Sequence, residues 1–446
     1  MTDSPATFAP LDPREQPILD ELLRSRDSLL LLKQDKSTYI KSHDVLPLYE
    51  QVVGQVEKVN DIRKGRKQEQ HNRVDNVLDD CFQLISLLFL TVGRNNEAPA
   101  VYSMTTTIQR LLDHLKEAAF FSAKDLESIA QTLGNTRETL DRGKDSYSPH
   151  LLTLLEKRIE KCEVLLAELQ KILSFLSPEL APTHETLVSI LRSLSAVNTR
   201  SNFSSSEVIG FQDQLKQIQA TMKDGQFRGE DGTIPEGQDI VKGLLERCFR
   251  WADIVLERQG NIDSRFQETY DKLVEIRNQL YKLSMTQAWS LRETDLFMYQ
   301  RKLDRIDESR SEGNFLDATG RPADLHAQRT LLYLIRRSYA FIYTLLISSE
   351  PVSEALLPVY NQLQTLRRCL FEVKEAGGVS TARELYPYSM KLNSIDNMRV
   401  DGKFFIGNDL PEGQGSVNAL LAECYDLCYD LRAQREGESD AKSDSN

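Results

Sequence analysis

Apolar side chains recur every three or four residues along most of this chain. One such stripe comprises Phe266, Tyr270, Leu273, Leu280 and Leu283, and another comprises Val74, Val77, Leu78, Phe82 and Ile85. This spacing places apolar side chains on one face of an α-helix, whereas the strict alternation typical of half-buried strands does not extend over a useful length. The pattern therefore predicts an all-α protein of roughly a dozen helices, arranged as an elongated helical bundle or a short solenoid.

Glycine and proline interrupt this pattern in a few places, which we interpret as breaks between helices. The breaks lie at Pro99, Pro178–Pro182, Gly225–Gly237, Gly320, Pro358 and Gly402–Gly415. The most apolar stretch, Cys81–Val92, is too short to cross a bilayer, so it predicts a buried helix. The sequence predicts no membrane association.

A long internal repeat is the most informative feature of the sequence. Two sets of residues match at a constant offset of 176: Pro235, Glu236, Gly237, Gln238, Val241, Leu244, Leu245 and Cys248 correspond to Pro411, Glu412, Gly413, Gln414, Val417, Leu420, Leu421 and Cys424. The same offset relates Ser177, Leu180, Pro182, Leu187, Arg192 and Leu194 to Ser353, Leu356, Pro358, Leu363, Arg368 and Leu370. The chain therefore contains two homologous helical units.

The repeat and the composition together predict six segments. They are a disordered arm (1–16), an N-terminal helical region (17–150), repeat unit 1 (151–256), connecting helices (257–327), repeat unit 2 (328–432) and a disordered acidic tail (433–446). Ser439 and Ser443 in the tail are candidate phosphorylation sites.

The "DGxF", "PEGQ" and "LLxxC" blocks, spelled out at Asp224–Cys248 and Asp401–Cys424, carry a family resemblance. With these blocks the chain resembles the fungal uncharacterised protein family 0662, whose domain is called domain of unknown function 2408. The resemblance spans most of the chain. It implies a fungal intracellular helical protein and supplies no activity or site residue.

Each repeated loop is predicted to start a helix. Thr233 and Glu236, like Asp409 and Glu412, have the spacing of a capping box, and Pro235 and Pro411 would then lie in the first helical turn. Gly237 and Gly413 would cost about 1 kcal/mol there relative to alanine, so something must approach their backbone closely.

Two explanations for these glycines remain open. In the first, Phe227 or Phe404 folds back over the helix start and packs on the glycine, so the loop is structural. In the second, the loops hold a partner peptide. The candidate partner-binding residues are Asp224, Phe227, Glu236, Gly237, Gln238, Asp401, Lys403, Phe404, Glu412, Gly413 and Gln414.

Common catalytic and metal-binding signatures are absent from the sequence. The acidic first loop lacks the bidentate glutamate that an EF-hand needs at its twelfth position, where Pro235 stands instead. The histidines have no zinc-binding spacing, and Cys424 and Cys428 are interpreted as core thiols. No nucleophile elbow, phosphate loop or dinucleotide fingerprint occurs. No cofactor, metal site or catalytic residue is predicted.

One aromatic-rich stretch and the two tryptophans also invite a functional interpretation. Arg336 and Arg337 stand beside Tyr339, Phe341 and Tyr343, a mixture that can bind single-stranded nucleic acid. The high apolar density there favours a buried helix instead, and the two tryptophans, Trp251 and Trp289, are likewise interpreted as core residues.

The formal net charge of -12 disfavours general binding to nucleic acids, whose phosphates are neutralised by lysine and arginine. Six cysteines scattered over a chain without secretory features suit reduced thiols and the cytoplasm. The basic segment Ile62–Arg73 leaves nuclear import open.

The predicted function is a non-enzymatic intracellular scaffold or adaptor that binds other proteins, because repeated helix pairs build extended surfaces. The alternative is an enzyme or small-ligand binder with a site between the two PEGQ loops. The sequence identifies neither the partner nor the oligomeric state.

Overall fold

The computed structural model of the chain describes residue 10 and residues 12–64, 72–229, 232–287 and 291–443. Over these residues the backbone forms fifteen α-helices and one pair of two-residue strands. The all-α prediction is therefore confirmed. Most of the basic segment (residues 65–71) and Trp289 lie outside the described residues.

The helices follow one another along the chain as α1 (Gln16–Gln34), α2 (Ser42–Arg63), α3 (Arg73–Thr91), α4 (Val101–Ala118), α5 (Ala123–Arg142), α6 (Pro149–Ser174), α7 (Ala181–Asn198), α8 (Ser205–Ala220), α9 (Gln238–Arg258), α10 (Gln267–Lys282), α11 (Leu296–Glu308), α12 (Leu325–Ile347), α13 (Leu357–Glu375), α14 (Tyr386–Asp396) and α15 (Gln414–Ser443). Between α14 and α15, strands β1 (Arg399–Val400) and β2 (Lys403–Phe404) form an antiparallel hairpin.

The described residues form two compact units, and each is built from separated parts of the chain. Unit 1 contains residues from 1–103, 287–297 and 348–446, and unit 2 contains residues from 104–286 and 298–347. These boundaries differ from those of the sequence repeat, because helix α12, at the start of the second copy, lies in unit 2.

In unit 1, helix α3 is the most apolar element. A capping box formed by Asn72 and Asp75 starts the helix, and it packs against α1 and α2. Every residue of the Cys81–Val92 stretch is buried, as its composition predicts. In the other stripe, which belongs to unit 2, Phe266, Leu273 and Leu280 are also buried.

In unit 2, helix α12 packs against α10 and α7. Within the described part of the chain it is the one helix long and apolar enough to cross a membrane, but 61% of its apolar window is buried inside the structure. The interpretation of this stretch as a buried helix is confirmed. Trp251 on α9 is 1% exposed, which confirms its place in the core.

The repeat is visible as two three-helix groups. Helices α7, α8 and α9 pack together in unit 2, and α13, α14 and α15 pack together in unit 1. Cys248 and Cys424 are fully buried in the equivalent cores. Each thiol donates to a backbone oxygen at 3.6 Å, of Leu187 in the first group and of Leu363, 176 residues later, in the second. The two copies thus share their packing as well as their sequence.

The structure describes part of each segment that the sequence predicts to be disordered. Residues 1–9 and 11 lie outside the described residues, but Pro13–Glu15 form a 3₁₀ turn, and the buried Glu15 carboxylate accepts a hydrogen bond from Arg63 Nε at 2.7 Å. This ion pair connects the end of the predicted arm to α2. Helix α15 continues to Ser443, so residues 433–443 have a helical backbone. The side chains from Arg435 onward, including Ser439 and Ser443, lie outside the described residues.

Candidate functional site

Both repeated loops begin with a tight Asp-Gly turn. We call residues 222–237 the first loop and residues 398–413 the second loop. Asp224 and Gly225 have φ angles of 51° and 71°, and Asp401 and Gly402 have φ angles of 51° and 75°. Two consecutive left-handed residues form the type I′ turn that matches the twist of a β-hairpin. The Asp-Gly pair is typical of this turn.

The helices after the loops begin later than the predicted capping boxes. Helix α9 starts at Gln238 and α15 at Gln414, each directly after a glycine with positive φ, 80° at Gly237 and 95° at Gly413. Pro235 and Pro411 therefore precede the helices, and the prediction that the helices start at Thr233 and Asp409 is wrong. A left-handed glycine turns the chain into the helix at a point where no side chain caps it.

The predicted close approach to these glycines is confirmed, but the predicted neighbours, Phe227 and Phe404, are wrong. A Cβ atom on Gly237 would lie 2.4 Å from the backbone oxygen of Phe175. On Gly413 it would lie 2.7 Å from the Cα atom of Val352. The glycines are thus required because the chain segment before α7, and its equivalent before α13, pass directly over them.

A backbone hydrogen bond fixes this crossing in both copies. The N–H of Ser177 donates to the carbonyl oxygen of Glu236 at 3.1 Å, and the N–H of Ser353 donates to that of Glu412 at 3.1 Å. The glutamate backbones therefore serve the fold. Their side chains are exposed, and Glu412 lies 3.6 Å from Arg94.

The two loop phenylalanines are core residues. Phe227 is 6% exposed in the core of the first three-helix group, and Phe404 is 2% exposed in the core of the second. Gln414 holds Phe404 from both sides of its backbone, since Oε1 accepts from the N–H at 2.9 Å and Nε2 donates to the carbonyl oxygen at 2.7 Å. Both rings are therefore part of the core, and the Gln414 amide is engaged with the backbone of its own loop.

A third loop of the same kind occurs in unit 2, and sequence reasoning missed it. Glu312 and Gly313 have φ angles of 49° and 79°, and the buried Phe315 follows them. Gln328 accepts from the Phe315 N–H at 3.0 Å and donates to its oxygen at 3.2 Å. The available signal was "EGNF", in which glutamate replaces the aspartate of "DGxF". The first loop lacks this pair of bonds, and Oε1 of Gln238 has no hydrogen-bond partner among the described residues.

The remaining candidate residues lie on the surface. Asp224, Glu236, Asp401 and Lys403 are exposed, and Asp224 lies 3.6 Å from Arg228. The acidic residues of the first loop belong to unit 2 and those of the second loop to unit 1. None of the candidate residues lines the arginine-rich cavity of unit 2 described below.

The second loop also exposes apolar side chains that its sequence pattern had not singled out. Their exposed fractions lie between 36% and 60%, and the residues are Met398, Val400, Phe405, Ile406 and Leu410. In the first loop, Arg228 and Gly229 occupy the positions of Phe405 and Ile406. The backbone of the loop therefore does not require apolar residues there.

The core cysteines are buried thiols of low reactivity. Burial raises the pKa of Cys248 to about 12 and that of Cys424 to about 11, so both remain thiols at neutral pH. Cys428 is buried too, which confirms its interpretation as a core thiol. Within the described residues no group of three or more His, Cys, Asp or Glu side chains is placed to hold a metal ion.

A family model described as "Protein of unknown function (DUF2408)" matches residues 173–293 and 349–445, so that each match contains one of the repeated loops. The chain belongs to this family. A CUB1 family protein of Schizosaccharomyces pombe is 39% identical over 446 residues, covering 98% of this chain and 96% of the relative. The Cu(2+) suppressing and bleomycin sensitive protein 1 of Saccharomyces cerevisiae is 37% identical over 502 residues, covering 95% of this chain and 90% of the relative. No solved structure matches the chain.

Proposed function

We propose that this protein is a non-enzymatic intracellular scaffold or adaptor, and that it binds an apolar segment of another protein through the second loop. The observation that carries the proposal is the exposure of Phe405, Ile406 and Leu410 beside the β1–β2 hairpin. Exposed apolar clusters on folded proteins are characteristic of interaction sites.

The comparison between the two loops supports a functional origin for this cluster. Both loops share the Asp-Gly turn, the left-handed glycine and the buried phenylalanine, yet the first loop has Arg228 and Gly229 where the second has Phe405 and Ile406. Folding alone therefore does not explain the apolar residues. An apolar partner segment would remove their side chains from water at about 25 cal/mol per Å² buried.

The chemistry of the surface favours a protein over a nucleic acid. The charged residues of the β1–β2 hairpin are Arg399, Asp401 and Lys403. Arg399 is paired with Asp396, so the hairpin presents little net charge. Nucleic acid binding would need several lysine and arginine side chains along the surface. The proposed location is the cytoplasm, with the nucleus as the alternative that the basic segment Ile62–Arg73 leaves open.

The competing function is an enzyme or small-ligand binder that uses the acidic residues of the loops. Two features favour the adaptor. Gln414 is fully engaged with the backbone of Phe404, and the backbones of Glu236 and Glu412 fix the crossings over the glycines. The name of the S. cerevisiae relative refers to copper and bleomycin, and these words describe that relative only.

The test exchanges the apolar residues of the second loop for those of the first. In the double variant Phe405→Arg, Ile406→Gly we expect an unchanged melting temperature, because the first loop carries these residues on a similar backbone. The variant Ile234→Gln is the matched control, since Ile234 is 50% exposed in the first loop. Tagged protein from fungal cells should retain its partner in the control and lose it in the double variant.

A photo-crosslinker identifies the occupant directly. With p-benzoylphenylalanine at position 405, a covalent adduct with a different protein, lost on competition with the unlabelled wild-type chain, supports the proposal. A crosslinked dimer would instead show self-association. No adduct, together with unchanged capture by the double variant, would overturn the proposed function.

A further inference from the structure

A cavity of about 210 Å³ in unit 2 has three arginines in its wall. Arg247 comes from α9, and Arg329 and Arg336 come from α12. The wall also contains the apolar side chains of Phe120, Leu191, Trp251 and Leu332 and the carboxylate of Glu117. The sequence pattern indicates only core for Trp251 and this part of α12, so it does not predict the cavity.

One arginine has a structural explanation. Arg247 donates to the backbone oxygens of Ala118 at 2.6 Å and Ala119 at 2.9 Å, at the C-terminal end of α4. These carbonyls carry the negative end of the helix dipole and satisfy the guanidinium. Arg247 therefore needs no ligand.

Arg336 has no such explanation. It is 8% exposed, its Nη1 atom has no hydrogen-bond partner, and its guanidinium lies 4.2 Å from the centre of the Phe120 ring. Burial lowers the pKa of this arginine to about 10, with the charge of Arg192 as a further cause. A buried cation without a carboxylate is costly, because desolvation is not offset by an opposite charge.

Arg329 lies two helical turns earlier on α12 and is partly buried. Its guanidinium lies 5.6 Å from the centre of the Trp251 ring, and no carboxylate of the described residues forms an ion pair with it. Burial lowers its pKa, as do the charges of Arg247 and Arg250. Positions 329 and 336 lie seven residues apart, so both side chains extend from one face of the helix.

A further hydrogen-bond donor in the cavity wall lacks a partner among the described residues. Trp251 lines the cavity and is 1% exposed, and its indole Nε1–H has no acceptor among the described residues. Glu117, the one acidic residue in the wall, forms an ion pair with Arg310 at 2.7 Å. The wall thus has two guanidinium groups and one N–H donor that no described residue satisfies.

We propose that this cavity binds a phosphate group, either free or as the monoester of a small molecule, with Arg329 and Arg336 as its cationic contacts. Two unpaired guanidinium groups match the charge of about -2 on a phosphate monoester, whereas a simple carboxylate supplies only one charge. The planar donors of arginine suit the phosphate oxygens. Phe120, Leu191 and Leu332 provide apolar surface for the organic part of an ester.

The experiment measures binding by the full chain in phosphate-free buffer at constant ionic strength. The probes are inorganic phosphate, glycerol 3-phosphate and ribose 5-phosphate, with sodium chloride as the control salt. We expect saturable heat in isothermal titration calorimetry and a rise in melting temperature that grows with probe concentration. Tighter binding of an ester than of inorganic phosphate would identify an organic ligand, and equal binding would identify free phosphate.

Three variants separate a ligand site from a structural role. Arg329→Gln and Arg336→Met should weaken binding about tenfold to a hundredfold, as expected for lost hydrogen bonds to a charged group. Arg337→Met is the control, because Arg337 is exposed, lies 4.4 Å from the Phe341 ring and does not line the cavity. Without ligand, Arg336→Met should melt at the same or a higher temperature than the wild type, since it removes an unpaired buried charge.

Two outcomes would overturn the proposal. One is the absence of both heat and thermal shift with all three probes in the wild-type chain. The other is equal binding by Arg336→Met, Arg329→Gln and the Arg337→Met control, which would place any bound anion elsewhere on the molecule.

Discussion

The side-chain amide of Gln414 forms two hydrogen bonds with the backbone of Phe404, at 2.9 Å through Oε1 and at 2.7 Å through Nε2. The amide takes the place of a neighbouring strand for this one residue. It thereby satisfies an N–H and a C=O group at a buried position, where an unpaired polar group is costly.

Replacing this amide should destabilise the protein measurably. Gln414→Ala leaves the backbone N–H and C=O of Phe404 without these partners, and we expect the free energy of unfolding to fall by about 1–3 kcal/mol. Gln238→Ala is the matched control, because its Oε1 has no partner among the described residues, and it should change stability by less than about 0.5 kcal/mol. Urea unfolding of both variants checks this prediction. Equal losses of stability in the two variants would show that the hydrogen bonds between the Gln414 side chain and the Phe404 backbone contribute little.

Gly413 should tolerate no side chain. In Gly413→Ala the new Cβ would lie 2.7 Å from the Val352 Cα atom, at a φ of +95°, so overpacking and backbone strain add together. We expect a loss of about 2–4 kcal/mol in the free energy of unfolding. Gly402→Ala separates the two causes, since Gly402 has a φ of +75° but a Cβ added there would have no described atom within 4 Å beyond its own chain neighbours. A loss in Gly402→Ala as large as that in Gly413→Ala would show that strain alone matters.

Neighbouring residues on the hairpin should behave in opposite ways. Phe404→Ala removes a buried ring and should cost about 3–5 kcal/mol of stability. Lys403→Glu changes an exposed side chain, and we expect the melting temperature to stay within about a degree while partner capture is lost. Thermal melts paired with pull-downs decide this. Capture by folded Lys403→Glu at the wild-type level would remove Lys403 from the proposed binding surface.

Glu354 joins three separated parts of unit 1. Its carboxylate accepts from the Ile40 N–H at 2.6 Å and from Arg292 Nε at 2.7 Å, and its own N–H donates to the Thr91 oxygen at 2.9 Å. Arg292→Met would leave a buried, uncompensated carboxylate, and we expect a loss of about 3–5 kcal/mol.

The control for this ion pair lies in the same unit. Arg367 pairs with Glu423 at 2.7 Å, but these side chains are 39% and 43% exposed, so Arg367→Met should cost less than about 1 kcal/mol. Denaturant unfolding of both variants tests the contrast. Similar losses would mean that burial of the Arg292–Glu354 pair does not determine its contribution.

Asp307 should make unit 2 sensitive to acid. Burial alone would raise the pKa of its carboxyl, but the hydrogen bond to His114 at 3.1 Å and the charges of His114, Arg310 and Arg110 lower that pKa from 3.8 to about 2. Because the pKa is lower in the folded protein than in the unfolded chain, Asp307 contributes stability that is present above about pH 4 and is lost as the pH falls through about 2. The lowering of the Asp307 pKa corresponds to about 2 kcal/mol in the free energy of unfolding.

The measurement compares wild type with Asp307→Asn by urea unfolding at pH 5 and pH 2.5. The wild type should be the more stable at pH 5, and the difference should shrink at pH 2.5. A difference that does not change with pH would contradict the assignment.

The repeat, the helices and the buried cysteines could be predicted because each depends on local pattern. The need for glycine at positions 237 and 413 was also visible, since a glycine near a helix start implies a close neighbour. The identity of that neighbour was not, because Phe175 and Val352 lie about 60 residues earlier in the chain. The predicted start of each helix was wrong because the same few residues contain two signals. One is the spacing of a capping box, and the other is a glycine with positive φ directly before the helix.

The arginine-rich cavity was missed for a different reason. Arg247 and Trp251 stand about 80 residues before Arg329 and Arg336, and only tertiary packing brings them to one wall. Along α12 the three arginines stand among many aromatic and aliphatic residues, and this apolar density is the pattern of a buried helix. Unpaired charges become visible only when the partners of each guanidinium are known.

The division of the chain sets the order in which its parts can mature during translation. Residues 1–103 belong to the same unit as residues 348–446, so the ribosome must add the 244 residues of 104–347 between the two segments. At about 5–20 residues per second, the first three helices wait roughly 12–50 s for the partners that complete their unit. Unit 2 is fully synthesised within that interval. Helices α1, α2 and α3 can pack on one another during that interval, whereas contacts such as the hydrogen bond from the Glu354 N–H to the Thr91 oxygen form only after it.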